Sequence, residues 1–225
     1  MVGKVQSKST EDLTGGTTSQ LTYTSSVTAH NTLVMFSRNL AAVNNVTAVS
    51  DNVNGAWTKR FSQAEETGSV SLDCWYFLDA AAGSTTVTVT MSIGATLRWG
   101  ILEGMVAASG QAVDTSASNK DDVGSTTPSS GNITTVNAIE WLVSGTGAPS
   151  SVTYTAGSGW TLQETPPSNG SGRFAIEDRV TSSAGTYAGN YTINTSQAWA
   201  AGVIAFKGPA ASGGFLTKNF WWGNY

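Results

Sequence analysis

A fixed order of short motifs occurs twice along this chain, and no other feature restricts its possible folds as strongly. GAWT (55–58) returns as GWT (159–161). Each is followed by an apolar segment that carries acids, CWYFLD (74–79) and FAIEDRV (174–180). A small-residue turn comes next, AAGST (81–85) against SSAGT (182–186), and then a Thr-rich segment, TVTVTMS (86–92) against YTINTS (191–196). Both copies close on Trp, an apolar run, one charge and Gly: Trp99 to Gly104, and Trp199 to Gly208. Their openings also match, NTLVMFS (31–37) with NAIEWLVS (137–144). Chance would supply one such match readily, but not several in the same order at a spacing of about 100 residues.

Every repeated segment reads as a strand. The segments are short, rich in β-branched and aromatic residues and often alternating with period two, and clusters such as SDNVNG and AAAGS separate them. No window keeps a 3.6-residue apolar period. The fold class predicted is all-β, an antiparallel, jelly-roll-like β-sandwich with internal pseudo-two-fold symmetry. Residues 1–19 read as an N-terminal arm, 20–104 and 132–208 as the two copies, 105–131 as a polar loop unlikely to hold a strand, and 209–225 as a linker and tail. Two copies can build two sandwiches in a row, or one sandwich of two interlocked halves. Several strands are too short to close a sandwich alone, which favours the composite.

Composition excludes several function classes. A net charge of −4 with scattered Lys and Arg argues against nucleic acid, which demands clustered cations. No apolar run approaches 18 residues, so no membrane span is expected. MVGKVQSKSTEDLTGG lacks the apolar core of a secretory signal, so the chain is expected to begin in the cytoplasm of whatever cell makes it. One cysteine, Cys74, allows no internal disulfide and reads as a buried thiol. Only 12% of residues are charged, so solubility rests on Thr, Ser, Asn and Gly.

Residues that could carry a reaction are few. His30 is the only histidine, and no G-x-S-x-G elbow accompanies it. Asp73, Asp79, Glu103, Glu177 and Asp178 are the carboxylates to weigh for glycosidase chemistry. Asp79 and Asp178 read as turn caps at matched places in the two copies, and Glu103, matched by Lys207, reads as solvated. Asp114, Asp121 and Asp122 offer oxygen ligands without the spacing of a calcium loop. The expectation is a non-enzyme with no metal and no cofactor. Six tryptophans (57, 75, 99, 141, 160 and 199) lie in strand patterns and read as packing residues; a sugar platform would need some exposed in a row.

The segment 213–225, GGFLTKNFWWGNY, belongs to no strand and no repeat. Phe215, Phe220, Trp221, Trp222 and Tyr225 follow the flexible GPAASGG, and an exposed patch of such residues marks an interaction site. These five are the candidate partner-binding residues, with Trp221 and Trp222 as hot spots.

AAGSTTVTVT (81–90), TAGSGWTL (155–162) and IEDRV (176–180), set in a charge-poor, Gly/Ser/Thr-rich context, resemble β-sandwich modules of bacteriophage virion structural proteins: head decoration or cement proteins and head or tail fibres. The resemblance spans roughly residues 20–208. It implies a virion protein without catalytic residues, whose partners are phage capsid or tail proteins and further copies of itself, as a trimer or as symmetry-related neighbours. A carbohydrate-binding module of a fibre, recognising a host surface glycan, is the alternative.

Overall fold

The computed structural model describes residues 2–40, 45–66, 70–105, 112–168 and 171–208, and every regular element among them is a strand. The first lobe contains β1 (Gly3–Asp12), β2 (Thr18–Thr22), β3 (Thr32–Asn39), β4 (Val46–Asp51), β5 (Gly55–Ala56), β6 (Thr58–Ala64), β7 (Ser71–Phe77), β8 (Thr86–Met91) and β9 (Leu97–Met105). They form a five-stranded antiparallel sheet, β1-β9-β3-β7-β6, and a four-stranded one, β2-β8-β4-β5. Strands that alternate between two facing sheets in this order make a jelly-roll-like sandwich. Alternation supplies its core: Leu33 and Met35 of β3 and Trp99 and Ile101 of β9 face Leu21, Val49, Val87 and Val89 of the smaller sheet.

The second lobe contains β10 (Val113–Ser125), β11 (Ile133–Thr134), β12 (Glu140–Ala156), β13 (Thr161–Glu164), β14 (Pro167–Ser168), β15 (Ser171–Val180), β16 (Thr186–Tyr187), β17 (Tyr191–Ile193) and β18 (Gln197–Lys207). Its large sheet runs β10-β18-β12-β15-β13 and repeats the first strand for strand. The Trp57 and Trp160 segments lead into equivalent strands, as do those of Trp99 and Trp199. Bulges recur too: β1 and β10 each slip against their partner at the first turn, between Lys4 and Gln6 and between Val113 and Thr115. So do β6 and β13 against theirs. Bulges are built-in features, and matched bulges mark matched strands. β12 merges the counterparts of β3 and β4, pairing first with β18 and β15 and then, past Gly147, with β17 of a fragmentary outer layer.

Two expectations are corrected. Residues 3–12, read as an arm, form β1, and residues 113–125 of the polar loop form β10. Both are edge strands, half exposed, and an edge tolerates KVQSKSTED or DTSASNKDD because solvent takes one of its sides. With these strands in place each copy closes its own sandwich, so the composite of interlocked halves is replaced by two.

The sandwiches pack back to back through their five-stranded sheets. Val34, Phe36, Leu72, Cys74 and Leu102 from the first lobe share one buried cluster with Trp141, Val143, Phe174, Ile176, Ile204 and Phe206 from the second. Contacts across this seam are reciprocal: β1 meets β13 as β10 meets β6, and β9 meets β15 as β18 meets β7. Reciprocity is the mark of two-fold association. Glycines let the sheets approach closely; a Cβ at Gly145 would collide with the Phe36 ring, and one at Gly104 with the Trp141 indole.

Candidate functional site

All six strand tryptophans are buried, Trp99 and Trp141 completely. Buried indole N–H groups need acceptors. Trp57 donates to Asp51 (2.7 Å), Trp99 to Ser19 (3.0 Å), Trp141 to Asp178 (2.8 Å) and Trp199 to Ser125 (2.9 Å). Each of these bonds lies within one lobe, and the six tryptophans form no exposed row on which a sugar ring could stack.

The carboxylates weighed for catalysis are spread through the molecule, each with its own task. Asp79 lies at an exposed turn and pairs with His30 Nδ1 at 2.7 Å; both residues have positive φ, 57° and 67°. Asp178 is no turn cap: it is buried in β15 and accepts bonds from Trp141 and Gln163 (2.6 Å). Glu103 is not solvated either. It is wholly buried and accepts from Gln6 (2.5 Å), Asn31 (2.5 Å) and the Thr28 amide (2.8 Å). Asp73 and Glu177 face the two lobe cores from matching strands, each opposite a serine, Ser37 and Ser144. Burial raises the carboxyl pKa of Asp73, against the counteracting charge of Lys59 at 3.3 Å.

Glu177 is perturbed by burial as well. Burial pushes it up to about 8, against bonds from the Gly157 and Asn190 amides that favour the ionised form. Gly157, Asn190 and Tyr191 line a cleft of about 490 Å³ over the outer layer of lobe 2. A perturbed acid near a cleft has the profile of a catalytic group. Here the carboxyl is fully buried behind the cleft wall, with Oε2 on the Gly157 amide at 3.0 Å. Its geometry is that of a brace for the turn that carries Gly157.

The metal-ligand candidates do not converge. Asp114 approaches Lys207 (3.5 Å) at one end of β10; Asp121 caps the amides of Val123 and Gly124 at the other, and Asp122 pairs with Lys120 at 3.0 Å. Among the described residues no group of three acidic, His or Cys side chains could hold a metal ion. Cys74 lies buried in the seam, its thiol pKa raised by burial.

Two surfaces suit docking. β18 ends at Lys207, and the Gly208 amide bonds to the Ile139 carbonyl at 3.0 Å. Around this exit Val136, Ile139 and Val180 are exposed by 62%, 42% and 42%. Secondly, the outer face of β2 and β8 presents Thr18, Gln20, Thr22, Thr86, Thr88 and Thr90 with no charge among them. Its polar groups are partly paired already: Thr22 with Thr86 (2.8 Å), and Gln20 to Thr88 (3.1 Å). The candidate partner-binding residues Phe215, Phe220, Trp221, Trp222 and Tyr225 lie outside the described residues. No family model, curated protein or solved structure matches this chain.

Proposed function

We propose that the protein is a non-enzymatic structural component of a bacteriophage particle, a capsid decoration or cement protein. In this reading it docks on the particle through the aromatic segment 215–225 and contacts neighbouring copies through its charge-poor faces. The observation that carries the reading is the cluster of five aromatics that follows β18 in the sequence. Four buried clusters, filled by residues between 21 and 206 with Val2 at the margin of one, close both lobes and the seam. Phe215, Phe220, Trp221, Trp222 and Tyr225 follow in the sequence, and each large ring can bury about 150–250 Å² on a partner. The uncharged Thr face adds support, since interface cores are depleted in charge. Jelly-roll sandwiches serve in viral capsids as well as lectins, which supports the reading only at the level of fold.

The test is truncation after Gly208. The shortened chain should fold with the melting temperature of the full chain and fail to incorporate into particles. Normal incorporation would refute the arm, and unfolding would assign the tail to the core. A glycan-binding role is the second reading; burial of all six strand tryptophans disfavours it, and glycan-array binding by the truncated chain would revive it.

A further inference from the structure

Three neighbouring strands of lobe 2, β10, β18 and β12, meet at the end of the large sheet where the chain leaves β18. Lys207, the last residue of β18, lies opposite Glu140, the first of β12, and its amide bonds to the Ala112 carbonyl just before β10 at 2.9 Å. Asp114 sits in the bulge where β10 slips against β18 between Val113 and Thr115. A bulge re-aims a side chain. Here Asp114 reaches the loop 136–139, where its Oδ2 accepts from the Val136 amide at 2.9 Å. Glu140 closes the other end of that loop, with Oε1 on the next amide, that of Asn137, at 2.9 Å. Two carboxyls are thus held on successive amides of one loop. Both are buried, Glu140 completely and Asp114 with 5% of its side chain exposed.

The charges in this corner do not balance when both acids are ionised. Lys207 brings one positive charge, with Nζ 3.5 Å from Asp114 Oδ1. On the other side of β12 stands Thr181, which is uncharged and bonds the Glu140 backbone through its amide and its hydroxyl oxygen. Glu140 Oε2 is buried without a partner. A charged oxygen there is costly, and a like charge beside it adds to the cost. A proton on Oε2 removes the second negative charge and turns the orphaned acceptor into a donor. Burial pushes the Glu140 carboxyl up to about 7 against the Asn137 amide; Asp114 acts in the same direction as burial, and Lys207 opposes it.

The same loop anchors the chain beyond the sheet. The Ile139 carbonyl accepts from the Gly208 amide at 3.0 Å, and Asn137 Nδ2 donates to the Gly208 carbonyl at 3.3 Å. A Cβ at Gly208 would collide with the Ile139 carbonyl, so loop and chain lie in direct contact. Val136 and Ile139, exposed apolar residues at this exit, belong to the loop as well.

We propose that Glu140 and Asp114 form a proton-operated latch on the root of the C-terminal segment. While one proton is held between the two carboxyls, the loop clasps Gly208. Once it leaves, two carboxylates share one lysine and the clasp loosens. Opening returns Glu140 towards its ordinary 4.5, so closure weakens as pH rises from there, and the loss is complete above about 7. The use of the latch in docking rests on the arm reading above; the latch itself does not.

The experiment is nitrogen-15 NMR of the full chain, following the amides of Val136, Asn137 and Gly208 between about pH 5 and pH 9. We expect all three to shift along one curve with a midpoint near 7. Protection of the Gly208 amide against solvent exchange, corrected for the intrinsic effect of pH, should fall about tenfold or more over that range. Glu140→Gln keeps the acceptor for Asn137 and supplies a permanent donor, so the three amides should hold their low-pH positions throughout. Asp114→Asn removes the neighbouring charge and should move the midpoint to lower pH. Amides that do not move in this range, or that move equally in Glu140→Gln, would overturn the latch. So would a Gly208 amide that stays protected while the other two titrate. Should neither variant fold, the wild-type curves decide alone. The arm is tested on particles and the latch on the isolated protein, so either can fail without the other.

Discussion

At the scale of single residues, Glu177 has the clearest consequence. Its carboxyl moves from an ordinary 4.5 to about 8 on folding because burial penalises the charge. Below pH 4.5 the group is protonated in both states and favours neither. As pH rises towards 8 the unfolded chain releases this proton first, so stability is lost across that window and the loss is complete above it. Glu140, raised by burial to about 7, adds to the same slope. The melting temperature should therefore fall between about pH 5 and pH 9. Glu177→Gln should flatten the fall markedly and leave the share due to Glu140. An unchanged slope in this variant would mean that Glu177 ionises normally. None of this was legible in FAIEDRV. The residues that bury Glu177 and supply its hydrogen bonds, Gly157 and Asn190, lie 20 and 13 positions away, and strand alternation alone does not distinguish a core acid from a solvated one. Glu103 was misread for the same reason, since its partners Gln6, Thr28 and Asn31 are all remote in sequence.

At the scale of elements, the strands visible in the sequence were those with apolar faces, and the missed ones were edges. β3 is buried along its whole length, because one face lines the lobe core and the other the seam. NTLVMFS consequently reads as a strand, although nothing in it tells which layer each face meets. β1 and β10 keep one edge in solvent and carry little apolar signal. β1 is nevertheless integral to the lobe. It pairs with β9 from Gly3 to Asp12, supplies the Glu11 carboxylate to Arg98, and reaches lobe 2 through Lys4 on Gln163 and Ser9 on Glu164. Deleting residues 2–12 should lower stability by several kcal/mol, because it strands a buried guanidinium and leaves β9 unpaired on one side (about 3–5 kcal/mol for breaking a buried ion pair alone). Chemical denaturation of the truncated chain would check this. A midpoint equal to that of the full chain would return residues 3–12 to the status of a loose arm.

At the scale of the whole molecule, the repeat was readable, but its arithmetic was not. Motif order predicted equivalent strands and pseudo-two-fold symmetry, and both are present; only the two edge strands, invisible to apolar patterning, bring each copy up to a closed sandwich. The seam between the sandwiches decides how the molecule behaves as a unit. Its cluster of fully buried side chains includes Phe36, Trp141, Phe174 and Phe206, so separating the lobes would expose large rings to water. Truncating one such ring costs about 3–5 kcal/mol, which is comparable to the whole stability of many domains. Neither lobe should therefore remain folded once the other has unfolded. The chain should melt in one transition, with calorimetric and van't Hoff enthalpies equal. Gly145→Leu tests the coupling, because its side chain must displace the Phe36 ring on the opposite lobe. Overpacking of this kind costs about 1–3 kcal/mol. If the seam couples the lobes, the variant should still melt in one transition at a lower temperature, with Trp99 and Trp199 fluorescence changing together although they sit in different lobes. Two resolved transitions in the wild type, or a variant that lowers the melting of lobe 2 alone, would make the sandwiches independent domains that merely touch.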